Sequence, residues 1–160
     1  MRILGIDPAL AITGFGVIDS RGRSLSLVEA GIISTSASQD LPKRLDKIYR
    51  LVTELVRDTK PDCMVLEKLY AHYQHPATAF ILGHARGVIA LVSAAENIPL
   101  AEYAATRIKK AIVGKGLASK AQVQSMVASM LGLKSVPKYM DVTDALALAI
   151  AHSHIAGVRI

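Results

Sequence analysis

Four carboxylates, Asp7, Glu67, Asp141 and Asp144, stand where rigid backbone would hold them. Asp7 ends the apolar run RILGI, Glu67 ends the run CMVL, and Asp141 and Asp144 are three residues apart where a helix is expected to begin. Residues three apart on a helix share a face, so the last two can act as a pair. Carboxylates at rigid positions are oxygen ligands for hard divalent cations, and two such cations about 3.5–4 Å apart can clamp the attacking and leaving oxygens of a phosphodiester. Without a cation, four gathered acids would repel one another and raise their own pKa values. The chemistry this suggests is magnesium- or manganese-dependent hydrolysis of a phosphodiester. A structural reading stands beside it, because an acid after a strand is often a turn former and an acid at a helix start often caps it.

The charge pattern supplies a partner for that chemistry. The chain has 19 Lys and Arg against 13 Asp and Glu, and with the four acids set aside the surface is more basic still. No acid falls between Glu102 and Asp141, while Arg107, Lys109, Lys110, Lys115, Lys120, Lys134 and Lys138 all do. Such one-signed segregation is a footprint for a polyanion such as nucleic acid, with an ordinary solvated basic face as the alternative.

The elements that must position these groups follow from the apolar pattern. Residues 2–6, 13–19 and 24–35 are short β-prone runs separated by turns, and they predict an antiparallel meander. From Leu41 the spacing of Leu45, Ile48, Leu51, Val52 and Leu55 turns helical, ending near Lys60 before Pro61. CMVLE then predicts a strand delivering Glu67, which meets Asp7 if the two strands are parallel neighbours. A loop rich in His, Tyr and Pro leads to a helix over Ala77 to Ala95, so apolar around its circumference that cover on more than one side is expected. A strand over 98–102, a basic segment, a helix from Lys120 to Leu131 and a last helix from Asp141 to His154 complete an α/β order with a mixed sheet. At 160 residues and 51% hydrophobic content, with no linker or repeat, residues 1–160 are expected to form one domain. The single Cys63 excludes an intrachain disulfide. Asp7 interrupts the N-terminal apolar stretch before a signal core could form, and no apolar run approaches membrane-spanning length, so a soluble cytoplasmic protein is expected.

Five separated motifs, GIDPALAITGFGVID, VLEKLY, LGHARG, VGKGLASKAQVQSMV and DVTDALALAIAH, resemble in order and spacing those of the RuvC family of Holliday junction resolvases. The resemblance implies an RNase H-like fold, a mixed five-stranded sheet flanked by helices. It implies a homodimer that resolves four-way junction DNA by symmetric nicks in two strands of like polarity, leaving 5′-phosphate and 3′-hydroxyl ends. It also implies one or two Mg2+ per subunit, with Mn2+ able to substitute, and work beside a branch-migration helicase complex of the RuvA and RuvB type. Asp7, Glu67, Asp141 and Asp144 match its catalytic, metal-holding acids. Lys109 and Lys120 match basic positions near the scissile phosphate, and Arg86, Lys110 and Lys115 join them as expected DNA contacts. Tyr70 stands where the family commonly has Phe, an aromatic that stacks at the open junction centre. Ala9 and His84 depart from the usual Gly and Gln, and AHYQHPATA departs from the usual loop.

Other residues invite chemistry less strongly. His72 and His75 have no Cys or acid nearby to complete a zinc set, and His152 and His154 lie two apart, so they cannot both face one metal on a helix. One of that second pair could sit near the acids to help a proton leave. Gly114, Lys115 and Gly116 suggest backbone amides near a DNA phosphate, and Gly83 and Gly87, one turn apart, allow close approach of a second helix. The rival readings are an RNA-directed nuclease of the YqgF type, a junction-binding protein without chemistry, and a sugar-kinase or actin-like ATPase. The last is too large an architecture for one small domain.

Overall fold

β1 (Arg2–Asp7), β2 (Ile12–Arg21) and β3 (Ser24–Ser34) follow one another as the expected meander, each antiparallel to the next. They belong to a computed structural model that describes residues 1–69 and 76–157. α1 (Leu41–Thr59) returns the chain to β4 (Cys63–Glu67), and α2 (Pro76–Ala95) returns it to β5 (Leu100–Tyr103). α3 (Ala105–Val113), α4 (Lys120–Met130) and α5 (Met140–Ala156) close the described chain. The sheet order is β3-β2-β1-β4-β5, with β1, β4 and β5 parallel. This mixed five-stranded sheet flanked by helices is the RNase H-like fold expected from the sequence.

Strand alternation divides the core into two layers. On β1 and β4, Leu4, Ile6, Met64 and Leu66 pack with Ile48, Val52 and Ile89 of α1 and α2. Ile3, Cys63 and Val65 point the other way, toward Leu146 and Ile150 of α5 and toward α3 and α4. α5 lies unusually close to the sheet, because a Cβ on Gly5 or Gly16 would run into Ala145 or Leu146. Glycine within a strand marks such close approach.

Two expectations need correction. The basic segment after β5 contains α3, a nine-residue helix anchored by Ile108 and Ile112 one turn apart and closed by Gly114 at φ +78°. Three cations within it dilute the apolar signal, although the i, i+4 pair and the terminal glycine are legible in retrospect. The second concerns length: Ala77–Ala95 is long and apolar enough to cross a membrane by length and composition alone, its 19 residues reaching a mean hydropathy of 1.5. Ala85, Ile89 and Val92 bury one side of it in the core, while Phe80, Ile81 and Leu91 are exposed. Among the described residues, the cover expected on more than one side is present on one side only.

Candidate active site

The two-residue period that builds the core also places the acids. Asp7 has the parity of Ile3 and Gly5, and Glu67 has the parity of Cys63 and Val65, so both face the α5 side of the sheet. β1 and β4 pair in parallel, with Ile3 opposite Cys63 and Gly5 opposite Val65. Carried two residues further, the same offset sets Asp7 beside Glu67. α5 crosses this face with Asp141 in its first turn and Asp144 one turn on. Asp7, Glu67 and Asp144 line one cleft of about 240 Å³, together with Lys109, Lys120, Ala105, Ile108, Val123, Ala147 and Leu148.

The electrostatics mark these carboxylates as a group. Burial pushes the Asp7 carboxyl up to about 7, the charges of Asp144, Asp141 and Glu67 add to the rise, and Lys120 offsets part of it. Burial and Asp144 also raise Glu67, against Lys109, Lys120 and Arg86. Asp144 is raised by burial, opposed first by Lys120. Raised carboxylates in a cleft are a mark of functional sites.

The structural reading of the acids makes a different demand, which is that they have partners. Asp19 does, in a fork from Arg2, and Asp62 accepts from the Arg2 amide at 2.6 Å. Among the described residues, none of Asp7, Glu67, Asp141 and Asp144 has a hydrogen-bond or ion-pair partner for its carboxylate. Nor does an acid cap α5, whose N-cap is Tyr139 without a side-chain bond.

The cations are delivered by two helices. Lys120 is the first residue of α4, held by a capping box in which Ser119 accepts from the Gln122 amide and the Gln122 side chain accepts from the Ser119 amide. Lys109 projects from α3 into the cleft, whereas Lys110 and Lys115 are exposed outside the residues that line it. Arg86, counted among the DNA contacts by its charge, has its guanidinium on the Glu67 carbonyl and the Glu102 carboxylate, with the side chain 14% exposed. Tyr70, His72 and His75 lie outside the described residues. His152 hydrogen-bonds Tyr103 at 2.9 Å and His154 the Ala111 carbonyl at 2.9 Å, so each histidine has a partner other than the four acids. His84 bonds the Phe80 carbonyl on the exposed side of α2, and Ala9 sits in its turn beside Thr13, whose hydroxyl donates to the Ala9 carbonyl at 2.7 Å.

Several residues that shape the site carry no chemical signal in the sequence. Ile108 and Leu148 wall the cleft, and Glu102 is joined to it by its ion pair with Arg86. Among the described residues, no set of three or more His, Cys, Asp or Glu side chains is arranged as a ready-made metal cage.

Known proteins resemble this chain over nearly its whole length. The family of crossover junction endodeoxyribonucleases RuvC matches residues 3–152. The RuvC protein of Rhodopirellula baltica is 44% identical over 154 residues, covering 96% of this chain and 86% of its own length. That of Paraburkholderia phytofirmans is 46% identical, over 96% of this chain and 84% of its own. Among solved structures, T. thermophilus RuvC in complex with a Holliday junction substrate superposes with a TM-score of 0.90 at 27% identity, covering 98% of this chain and 95% of its own. A nuclease fold, a carboxylate cleft and nearly full-length relatives converge on one assignment, and the chain belongs to the RuvC family of crossover junction endodeoxyribonucleases.

Proposed function

We propose that this nuclease is a homodimeric, divalent-metal-dependent resolvase that nicks two strands of like polarity in a Holliday junction, leaving 5′-phosphate and 3′-hydroxyl ends. The observation that carries the reading is the set of unpartnered carboxylates around one cleft, with Asp7 raised to about 7 although Lys120 and Lys109 stand beside it. A hard cation answers the residual repulsion, and the donors are all oxygen. Magnesium is commonly held by one or two carboxylates with substrate phosphate completing the shell, which suits a cleft without a closed protein cage. Asp7, Glu67, Asp141 and Asp144 would hold one or two Mg2+, with Mn2+ able to substitute. When bound, the ion supplies a Lewis acid for the phosphoryl oxygens and makes water more acidic.

The protein's own groups do the rest. Lys120 and Lys109 oppose the charge that builds on the phosphate, from helices whose poses are set by the capping box and by Ile108. Lys110 and Lys115, exposed outside the cleft lining, bind the DNA backbone without regard to sequence, and selectivity comes from junction shape. Tyr70 is assigned the stacking role at the junction centre, where an aromatic face accepts any base. The uncovered apolar side of α2, with Gly83 and Gly87 open to a neighbour, supports a two-fold dimer that pairs the nicks. Residues 1–160 act as one nuclease domain in the cytoplasm, delivered to junctions by a branch-migration helicase complex of the RuvA and RuvB type. The relative solved with a Holliday junction substrate supports the choice of DNA.

The test is a synthetic four-way junction with a short mobile core, incubated with MgCl2 or with chelator, beside Asp7→Asn. Paired, ligatable nicks that need both metal and Asp7 are expected. Tight binding without nicking would replace this reading with a junction-binding role, and cleavage of structured RNA alone would replace the substrate.

A further inference from the structure

Arg86 directs both of its terminal nitrogens to oxygens of the protein. Its Nη1 donates to the Glu67 carbonyl at 2.6 Å, and its Nη2 donates to Oε1 of Glu102 in an ion pair. The three residues come from three elements, α2, β4 and β5. Glu67 is the last residue of β4, opposite Tyr103, and the Lys68 amide donates to the Tyr103 carbonyl at 2.8 Å. A strand terminus is a poor platform for a carboxylate that must hold its direction, and the bond from Arg86 to the Glu67 carbonyl gives that last peptide plane a second restraint beside the Lys68 amide bond.

A guanidinium suits that task better than an ammonium. Its planar fork donates in two fixed directions, here one to a carbonyl and one to a carboxylate, whereas lysine offers one compact charge. With 14% of its side chain exposed and Nη1 and Nη2 each holding a protein oxygen, Arg86 presents little of its guanidinium to a phosphate. We propose that Arg86, anchored by Glu102, is a positioning residue that straps the end of β4 and sets the direction of the Glu67 carboxylate in the cleft, in place of a contact to DNA. The proposal rests on the role given to Glu67 above. It makes the core-facing side of α2 part of the catalytic apparatus at one remove, since a shift of that helix would move Glu67.

The experiment compares full-length Arg86→Lys, Arg86→Gln and the near-isosteric Glu102→Gln with the parent protein. Three quantities are measured: junction affinity and its salt dependence in CaCl2, the single-turnover cleavage rate at saturating enzyme in MgCl2, and Mn2+ binding by calorimetry without DNA. Loss of an outer partner of a metal ligand typically costs about 10–100-fold in metal affinity or activity. The strap predicts losses in that range in single-turnover rate and Mn2+ affinity for both Arg86 variants, and a smaller loss in the same direction for Glu102→Gln. Junction affinity stays within about twofold and the salt slope does not change, whereas losing a phosphate contact would lower the slope by about one. Arg86→Gln combined with Glu102→Gln is no worse than Arg86→Gln, because the two act as one unit.

Weaker junction binding with a normal saturated rate would overturn the strap in favour of a DNA contact. Normal rates and Mn2+ affinity in both Arg86→Lys and Glu102→Gln would overturn it as well, and Glu102→Gln decides the matter if the Arg86 variants fail to fold. A parent that neither cuts the junction nor binds Mn2+ would instead refute the functional reading, and this proposal with it.

Discussion

Gly14 of β2 lies directly beneath Asp141 of α5, with no space between them for a side chain. A Cβ on Gly14 would meet the backbone oxygen and the Cβ of Asp141. The carboxylate pair on α5 is therefore held at its height above the sheet by the absence of an atom on a neighbouring strand. Gly14→Ala is expected to lift the first turn of α5, costing about 1–3 kcal/mol as overpacking does. Cleavage should fall by about tenfold or more, since small misplacements of reacting groups cost that much. Thermal melts and junction-cleavage rates check this, and a variant as active as the parent would show that α5 yields without consequence for Asp141.

The acid cluster should give the metal-free protein an unusual pH dependence. Asp7 is raised in the folded protein to about 7 from an ordinary 3.8, so the folded state holds its proton where the unfolded chain has lost it. Stability from this group is complete below about pH 4 and is lost as pH rises through 7. Glu67 and Asp144, also raised, add in the same direction. His152, lowered by burial, pulls the opposite way as pH falls through its ordinary 6.5. The informative quantity is therefore the parent Tm minus that of Asp7→Asn, which should drop between pH 5 and 8 in chelator and recover with MgCl2. A flat difference across that range would refute the clustering.

Lys120 opposes the rise of Asp7, Glu67 and Asp144 alike. Lys120→Ala should thus do two things: slow cleavage and move the acidic limb of the pH–rate profile to higher pH. Ser119→Ala removes a cap worth about 1 kcal/mol and loosens the turn that presents Lys120, so a weaker form of the same shift is expected. Lys115→Ala, exposed and outside the cleft lining, should lower junction affinity and the salt slope by about one without moving the pH limb. If Lys120→Ala and Lys115→Ala behave alike, the special place of Lys120 in the cleft is refuted.

Much of this arrangement was legible in residue types because period and parity carry it. The end of β1 at Asp7, the end of β4 at Glu67 and the start of α5 within one residue of Asp141 all follow from apolar runs and punctuation. The parallel pairing of β1 with β4 was conditional in the sequence and is decided by α1, whose one apolar face packs on the Leu4 and Met64 layer and returns the chain in the same sense. Two features were hidden for a physical reason. α3 has only Ile108 and Ile112 buried in nine residues, too few to outweigh its charges. Arg86 looks like any other basic residue until the fold brings Glu67 and Glu102, 19 and 16 residues away, to its guanidinium. Charge reveals that a cation is present, but only geometry reveals what it faces.

The exposed side of α2 gives the last prediction. Phe80 is 71% and Leu91 58% exposed on a helix apolar enough to pass for a membrane span, and among the described residues nothing lies within 4 Å of a Cβ on Gly83 or Gly87. Contiguous apolar surface of this kind marks an interaction site, and the proposed dimer would cover it. Because Leu91 faces solvent within one chain, Leu91→Glu should change the stability of the isolated fold by no more than about 0.5 kcal/mol. In a dimer that packs on this face it would bury an unpaired charge near the two-fold axis, twice over. Sedimentation velocity should therefore find the parent dimeric and Leu91→Glu monomeric, with the variant losing the pairing of nicks in one junction while its carboxylate cleft stays intact. A dimer that survives Leu91→Glu at the same affinity would place the subunit interface elsewhere.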